Sequence, residues 1–236
     1  MKVRIKFSKE GPMKFLGHLD TMRYFQKAIR RAQLPVAFST GFSPHMIMSF
    51  ASPLGVGITS AGEYFDLELA REMTSAEIIS RLNAVMAEDF QVLSARRVED
   101  GRASNAMSLV AAADYLVRFR PGKEPCEDWK VRFLAFCAQP EILIRKETKK
   151  GEKEVDIRPF LYQCELREDG GIFLSLASAS ANYTRPDTVM DSFLQTISDT
   201  PVPFSYTIHR METYADLGDE TVHRFVPLSE LGEEIL

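Results

Sequence analysis

With 236 residues, 45% of them hydrophobic and 26% charged, the chain can bury a sizeable core, and its net charge of −4 argues against a globally basic nucleic-acid binder. No apolar run approaches the ~20 residues that cross a bilayer, and the start MKVRIKFSKEG alternates where a secretory signal would be continuously apolar, which predicts a cytoplasmic protein with no membrane role. Cys126, Cys137 and Cys164 are widely spaced and form no C-x-x-C pair, which excludes a zinc ribbon or an iron–sulfur cluster built from this chain alone; each is expected as a small core hydrophobe in a reducing compartment.

Val3-Arg4-Ile5-Lys6-Phe7 alternates strictly and predicts a half-buried strand, ended by Gly11-Pro12. From Gly17 to Gln33, Leu19, Met22, Phe25, Ile29 and Ala32 recur at steps of three and four, the spacing of one helix face. Leu34-Pro35 stops that helix, because a residue before proline is pushed out of the α region. Val36-Ala37-Phe38 and the segment Met46 to Phe50 are short strands around a loop. After the turn-rich Pro53 to Gly57, Glu63 to Leu69 alternates again. Thr74 or Ser75 is placed to cap a second helix with Ile78, Ile79, Leu82, Val85 and Met86 inward, and Phe90 to Val98 closes as a strand.

This order matches the split βαβ of a ferredoxin-like sandwich, an antiparallel sheet with helices on one face, and predicts the α+β class. The polar run Glu99-Asp100-Gly101-Arg102 marks a boundary, giving a first domain over residues 1–100. The second half repeats the rhythm: a strand over Ala113 to Phe119, a helix over Cys126 to Ala138 carrying Trp129, strands at Ile142 to Ile144, Val155 to Ile157 and Ile172 to Leu174, a helix over Pro186 to Ile197, and a last strand over Phe204 to His209. Two tandem ferredoxin-like domains are thus expected, the second over residues 101–211, followed by an acidic tail over 212–236. The stretch Arg158 to Leu166 finds no place in this scheme.

Charge is unevenly spread. Up to His45 the cations Lys2, Arg4, Lys6, Lys9, Lys14, Arg23, Lys27, Arg30 and Arg31 face only Glu10 and Asp20, and after Arg210 the balance reverses. Arg23, Lys27 and Arg30 form a stripe opposite the apolar face of the first helix, with Arg31 beside it. Such a row tracks a polyanion backbone, with Lys2, Lys6 or Lys14 extending it, or is simply a solvated face. The loop Gly41-Phe42-Ser43-Pro44-His45 joins a residue free to take positive φ, a ring able to stack on a base and an imidazole able to move a proton. It is equally good turn chemistry, with Phe42 folded back into the core. His18 opens the first helix, where free N–H groups suit an anion, or it serves as a cap together with Asp20. No P-loop, GxGxxG after a strand, HExxH or GxSxG occurs, so nucleotide-driven and zinc-hydrolase chemistry has no support.

An ordered series of motifs resembles one family. Phe15-Leu16-Gly17-His18-Leu19-Asp20, Ala28 to Ala32, Leu34-Pro35, Gly41 to His45, Ser49-Phe50-Ala51, Glu63 to Asp66, Glu154 to Pro159 and Arg185-Pro186-Asp187 are similar to the radical-SAM-linked protein family of unknown function. Gly17 and Ser43 stand where serine and asparagine are expected, and Met46 where a second proline is usual. The resemblance implies a working association with a radical-SAM enzyme, and the expected role is that of an accessory protein without catalytic activity or metal of its own. That partner would carry the iron–sulfur cluster and the S-adenosylmethionine. Structured RNA is the expected cargo, with Arg23, Lys27, Arg30 and Arg31 on phosphates and His18, Gly41, Phe42, Pro44 and His45 shaping the site; Lys149, Lys150, Arg158 and Arg185 are the candidates in the second domain. Two alternatives stand beside this. A looser likeness to the RNA-binding ferredoxin-like endonucleases of CRISPR systems implies metal-independent RNA cleavage with His18 and His45 as acid and base. A protein-docking module needs no RNA at all.

Overall fold

A computed structural model describes residues 1–101, 104–148, 151–198, 200, 202–219 and 221–236, and the side chains of all of these except 146–148 and 152. The first elements are β1 (Lys2–Lys9), α1 (His18–Arg31), β2 (Met48–Phe50), β3 (Thr59–Glu68), α2 (Ser75–Asn83), β4 (Phe90–Arg97) and α3 (Ala106–Leu109). There follow β5 (Val110–Phe119), α4 (Trp129–Cys137), β6 (Leu143–Thr148), β7 (Gly151–Asp156), β8 (Leu161–Leu166), β9 (Ile172–Ala177), α5 (Pro186–Gln195), β10 (Tyr206–Asp216) and β11 (Phe225–Pro227). Short 3-10 turns lie at Gly11–Phe15, Arg158–Phe160 and Leu228–Leu231. The fold is mixed α and β, with antiparallel strand pairing.

These elements form two compact units, Met1–Ala111 with Arg210–Leu236, and Ala112–His209. The expected break at residue 100 and the separate acidic tail over 212–236 give way to this division. The reason is chemical. Glu212 accepts from Lys6 Nζ at 2.5 Å and from the Tyr64 hydroxyl at 2.6 Å, Thr213 Oγ1 donates to the Gly62 carbonyl at 2.8 Å, and Leu228 is fully buried. The supposed tail supplies partners that the first unit lacks.

In the first unit β1 lies between β3 and β4, and β2 pairs the far end of β3, giving the order β4-β1-β3-β2 with every pair antiparallel. α1 buries Phe25, Ala28 and Ile29 and α2 buries Ile78 and Leu82 against Val3, Ile5 and Phe7 of β1. Thr74 caps α2 by accepting the Glu77 N–H at 3.1 Å. Phe7, Phe25, Phe50, Phe65 and Phe90 form the centre of this core, each ring worth roughly 1.5–3 kcal/mol of burial. Phe7 and Phe25 stand 4.6 Å apart between centroids.

β1 is not the half-buried strand its alternation predicts. Lys2, Arg4 and Lys9 are as buried as their apolar neighbours, at 5%, 1% and 2% exposure. The face that carries Lys2 and Arg4 is covered by Ala106 and Val110 from the start of α3 and β5, and by Leu228, whereas Lys9 lies on the α1 side with Phe7 and Thr21. Arg4 Nε donates to Asp66 at 2.8 Å and Arg4 Nη2 to its other oxygen at 3.2 Å, with further bonds to the carbonyls of Ser104 at 2.7 Å and Leu228 at 3.3 Å.

The second unit follows the same plan: β5, α4, β8, β9, α5 and the start of β10, paired in the order β10-β5-β9-β8. Phe133 of α4 and Phe193 of α5 meet edge to face at 5.0 Å beneath it. Here the expected strands at 142–144 and 155–157 are replaced. They belong to a separate hairpin of β6 and β7, and the unplaced stretch 158–166 supplies β8. A register shift between Leu161 and Gln163 breaks the period-two pattern by which β8 would be recognised. Cys137 and Cys164 are joined by a disulfide between α4 and β8, against the expectation of two free core thiols; Cys126 is free.

Asp66→Ala leaves the Arg4 guanidinium buried without its carboxylate and is expected to lower stability by about 3–5 kcal/mol in urea titration. Arg4→Met/Asp66→Leu, which removes both charges, should recover part of that loss. A cost for Asp66→Ala under about 1 kcal/mol would mean the pair is effectively solvated.

Candidate functional site

α1 presents two different surfaces. Thr21, Phe25, Ala28 and Ile29 face the core, while Arg23, Lys27, Arg30 and Arg31 are exposed. Arg23 meets Asp20 at 3.4 Å, with both side chains more than half exposed, and Arg31 Nη2 donates to the Val85 carbonyl at 3.1 Å. No acidic residue lies between Thr21 and Arg31. Lys2 and Lys6 do not extend this stripe: Lys2 is sealed against Gly101 and Asn105, and Lys6 is paired to Glu212. Lys14 stands over the exposed ring of Phe15, 5.3 Å from its centroid.

The loop after α1 is closed at its base by Ser39 and His45. Ser39 N donates to the His45 carbonyl at 2.9 Å, His45 N donates to Ser39 Oγ at 3.1 Å, and Ser39 Oγ lies 2.8 Å from His45 Nδ1. Gly41 takes φ +115°, a value its lack of a Cβ allows. Phe42 is 112% exposed, so of the two readings of this loop the one that folds its ring into the core is overturned. Pro44 and His45 are exposed as well.

His18 is elsewhere. Its ring stands edge-on to Phe50 at 5.4 Å, while that of His45 is held by Ser39. The segment from His45 to Phe50 is largely extended, so five residues at ~3.3 Å each put roughly 16 Å of chain between the two anchors. In the second unit, Arg158 bonds the carbonyls of Gln139 and Leu161 at 3.2 and 2.9 Å, and Arg185 Nε bonds Asp187 at 2.9 Å, so both serve local structure. Lys149 and Lys150 lie outside the described residues.

Sequence reasoning missed a cleft at the start of α1, lined by the polar groups of Lys9, His18, Thr21, Ser52 and Glu63 and by the apolar Phe7, Phe50 and Leu54. Lys9 Nζ donates to the Leu16 carbonyl at 2.6 Å. Burial pushes its ammonium below the usual lysine range, and nearby Glu63 opposes that shift. Glu63 Oε1 accepts from Ser60 Oγ at 2.7 Å and from Arg210 Nη1 at 3.0 Å. Of these residues only His18 carried a signal, its place at a helix start; a lysine ending an alternating strand looks solvated.

Among the described residues, no group of three His, Cys, Asp or Glu side chains is placed to hold a metal ion, and no helix is long and apolar enough to cross a membrane. No curated protein matches the chain. Among solved structures it is similar to a chain in the crystal structure of a Cbf5-Nop10-Gar1 complex, at 12% identity and a TM-score of 0.45. That likeness covers 89% of this chain and 48% of the other, so this chain spans about half the length of that structure. Residues 2–186 match the family described as "Uncharacterized protein conserved in bacteria (DUF2344)", and the chain belongs to that family.

Proposed function

We propose that this protein is a cytoplasmic, non-catalytic accessory that holds structured RNA on the exposed face of α1 and presents it to a radical-SAM enzyme. The observation that carries the RNA part is the asymmetry of α1. One face is locked into the core by Phe25, Ala28 and Ile29, and the other exposes Arg23, Lys27, Arg30 and Arg31, with Asp20 the sole acidic residue of the helix. A rigid row of cations gives a polyanion fixed points of attachment. The exposed ring of Phe42 adds a surface on which an unpaired base can stack.

The radical-SAM partner rests on the motif series that resembles the radical-SAM-linked family; the iron–sulfur cluster and S-adenosylmethionine then belong to the partner. The tandem ferredoxin-like reading is supported by the strand order of each unit, β4-β1-β3-β2 and β10-β5-β9-β8, with a helix in each crossover. Cleavage by His18 and His45 is disfavoured, because an acid and base must flank one phosphate and these imidazoles are anchored roughly 16 Å apart along extended chain. If the face takes protein instead of RNA, the same variants report it.

Fluorescence anisotropy of labelled structured RNA across a salt series tests the reading. Arg23→Glu/Lys27→Glu/Arg30→Glu is expected to weaken binding at least tenfold at low salt and to flatten the slope of log affinity against log salt by about 2–3, roughly 0.7–0.9 for each phosphate no longer neutralised. Absence of wild-type binding at low salt overturns the RNA reading and leaves docking of the partner enzyme.

Phe42→Ala separates a stacking ring from a core ring. Thermal and urea unfolding should change by less than about 0.5 kcal/mol, because nothing is unburied. RNA affinity should fall by about 1–3 kcal/mol. A marked loss of stability, or unchanged affinity, would remove Phe42 from the site.

A further inference from the structure

Three sealed ionisable groups meet beside the start of α1: Lys9, Glu63 and Arg210, at 2%, 4% and 2% exposure. Arg210 Nη1 and Ser60 Oγ take up the Glu63 carboxylate at 3.0 and 2.7 Å. Lys9 uses one of its three N–H donors, on the Leu16 carbonyl, and makes no salt bridge among the described residues. The Lys9 ammonium is thus buried with one hydrogen bond and no carboxylate at ion-pair distance among the described residues, an arrangement that is costly unless something neutralises it.

A second unmet group lines the same cleft. Thr21 is 95% buried, at 5% exposure, and its Oγ1 has no hydrogen-bond partner. It sits in the first turn of α1, a helix of 14 residues whose N-cap, Gly17, offers no side chain to the free N–H groups. The floor has room for about one water-sized group. A water would satisfy Thr21 but would leave the charge. An anion in the cleft answers both needs, and the positive end of the α1 dipole favours it.

We propose that this cleft is a receptor for a single oxyanion group, a phosphate or a carboxylate, held by Lys9 and Thr21 under the N-terminus of α1, with His18 and Ser52 at its walls. The proposal is independent of RNA binding on the exposed face of α1.

The test titrates inorganic phosphate, and separately acetate, into the full chain at ionic strength held constant with chloride, following the unfolding midpoint and the His18 ring signals by NMR. A saturable response is expected from at least one of the two, and which of them saturates identifies the anion. Lys9→Met should weaken it at least about tenfold by removing the charged donor. Thr21→Val keeps shape and burial while deleting the hydroxyl, so it carries the test if Lys9→Met folds poorly; it should weaken binding about three- to tenfold. A 5′-phosphorylated RNA oligonucleotide is then compared with its 5′-hydroxyl form. A preference for the phosphorylated form that Thr21→Val abolishes identifies an RNA end as the source, and equal affinity beside a saturable small anion identifies a free one. The proposal is overturned if neither anion saturates, or if both variants titrate as the wild type does.

Discussion

Arg4 and Asp66 are direct partners in the register of β1 against β3, and both are shut away from water. A buried guanidinium tolerates very few arrangements, since each unpaired N–H carries a large desolvation cost. Here Nε and Nη2 take the two oxygens of Asp66, and the remaining contacts go to the carbonyls of Ser104 and Leu228, while Asp66 also accepts the Ala106 N–H at 2.7 Å. A slip of one residue between β1 and β3 would leave Arg4 without a carboxylate. The pair therefore fixes strand register, and through it the start of α3 and the return of the chain at Leu228.

The same reasoning sorts the charges of the whole first unit. The basic N-terminal run and the acidic C-terminal stretch look like two opposed surfaces in the sequence. Folded, much of each is spent on the other or on buried partners. Lys6 pairs with Glu212, Arg96 with Glu234, and Lys2 lies within 3.8 Å of Asp66. What remains outward of the basic run is Lys14 and, above all, the set on α1. The exposed positive charge is thus smaller than the sequence implies, and it is concentrated on a single helix.

What was legible in the sequence follows from how local each signal is. The apolar spacing of α1 and the Thr74 cap of α2 are written within a few residues, and both elements stand where those signals put them, although Leu19, counted on the apolar face of α1, is exposed. Alternation in β1 says that successive side chains face opposite sides, but not whether the second side is covered. Its cover comes from Ala106, Val110 and Leu228, more than a hundred residues away. β8 carries a shifted register that hides its period, so a strand reads as an irregular stretch. Turn chemistry likewise places the loop at Gly41 to His45 without deciding where Phe42 points. The Ser39–His45 clasp, which depends on a hydroxyl and an imidazole six residues apart, ties off the base of that loop, and the ring stays outside.

The cations of α1 are not equal candidates for function. Arg30 and Arg31 lie in the last turn, where positive charge offsets the helix dipole, and Arg31 also bonds the Val85 carbonyl. Arg23 has Asp20 one turn away. Structural needs thus account for part of three of the four, and Lys27, mid-helix and without a partner among the described residues, is the one they do not touch. An exposed lysine costs almost nothing to keep in the unliganded protein, so its presence alone argues weakly. Lys9 is the opposite case. Burying an ammonium with one hydrogen bond destabilises the unliganded protein, and an apolar residue of similar length would fill the same space without that cost. On physical grounds, then, the cleft at the start of α1 makes the stronger claim to a ligand than the face along its side, although the sequence displays only the latter.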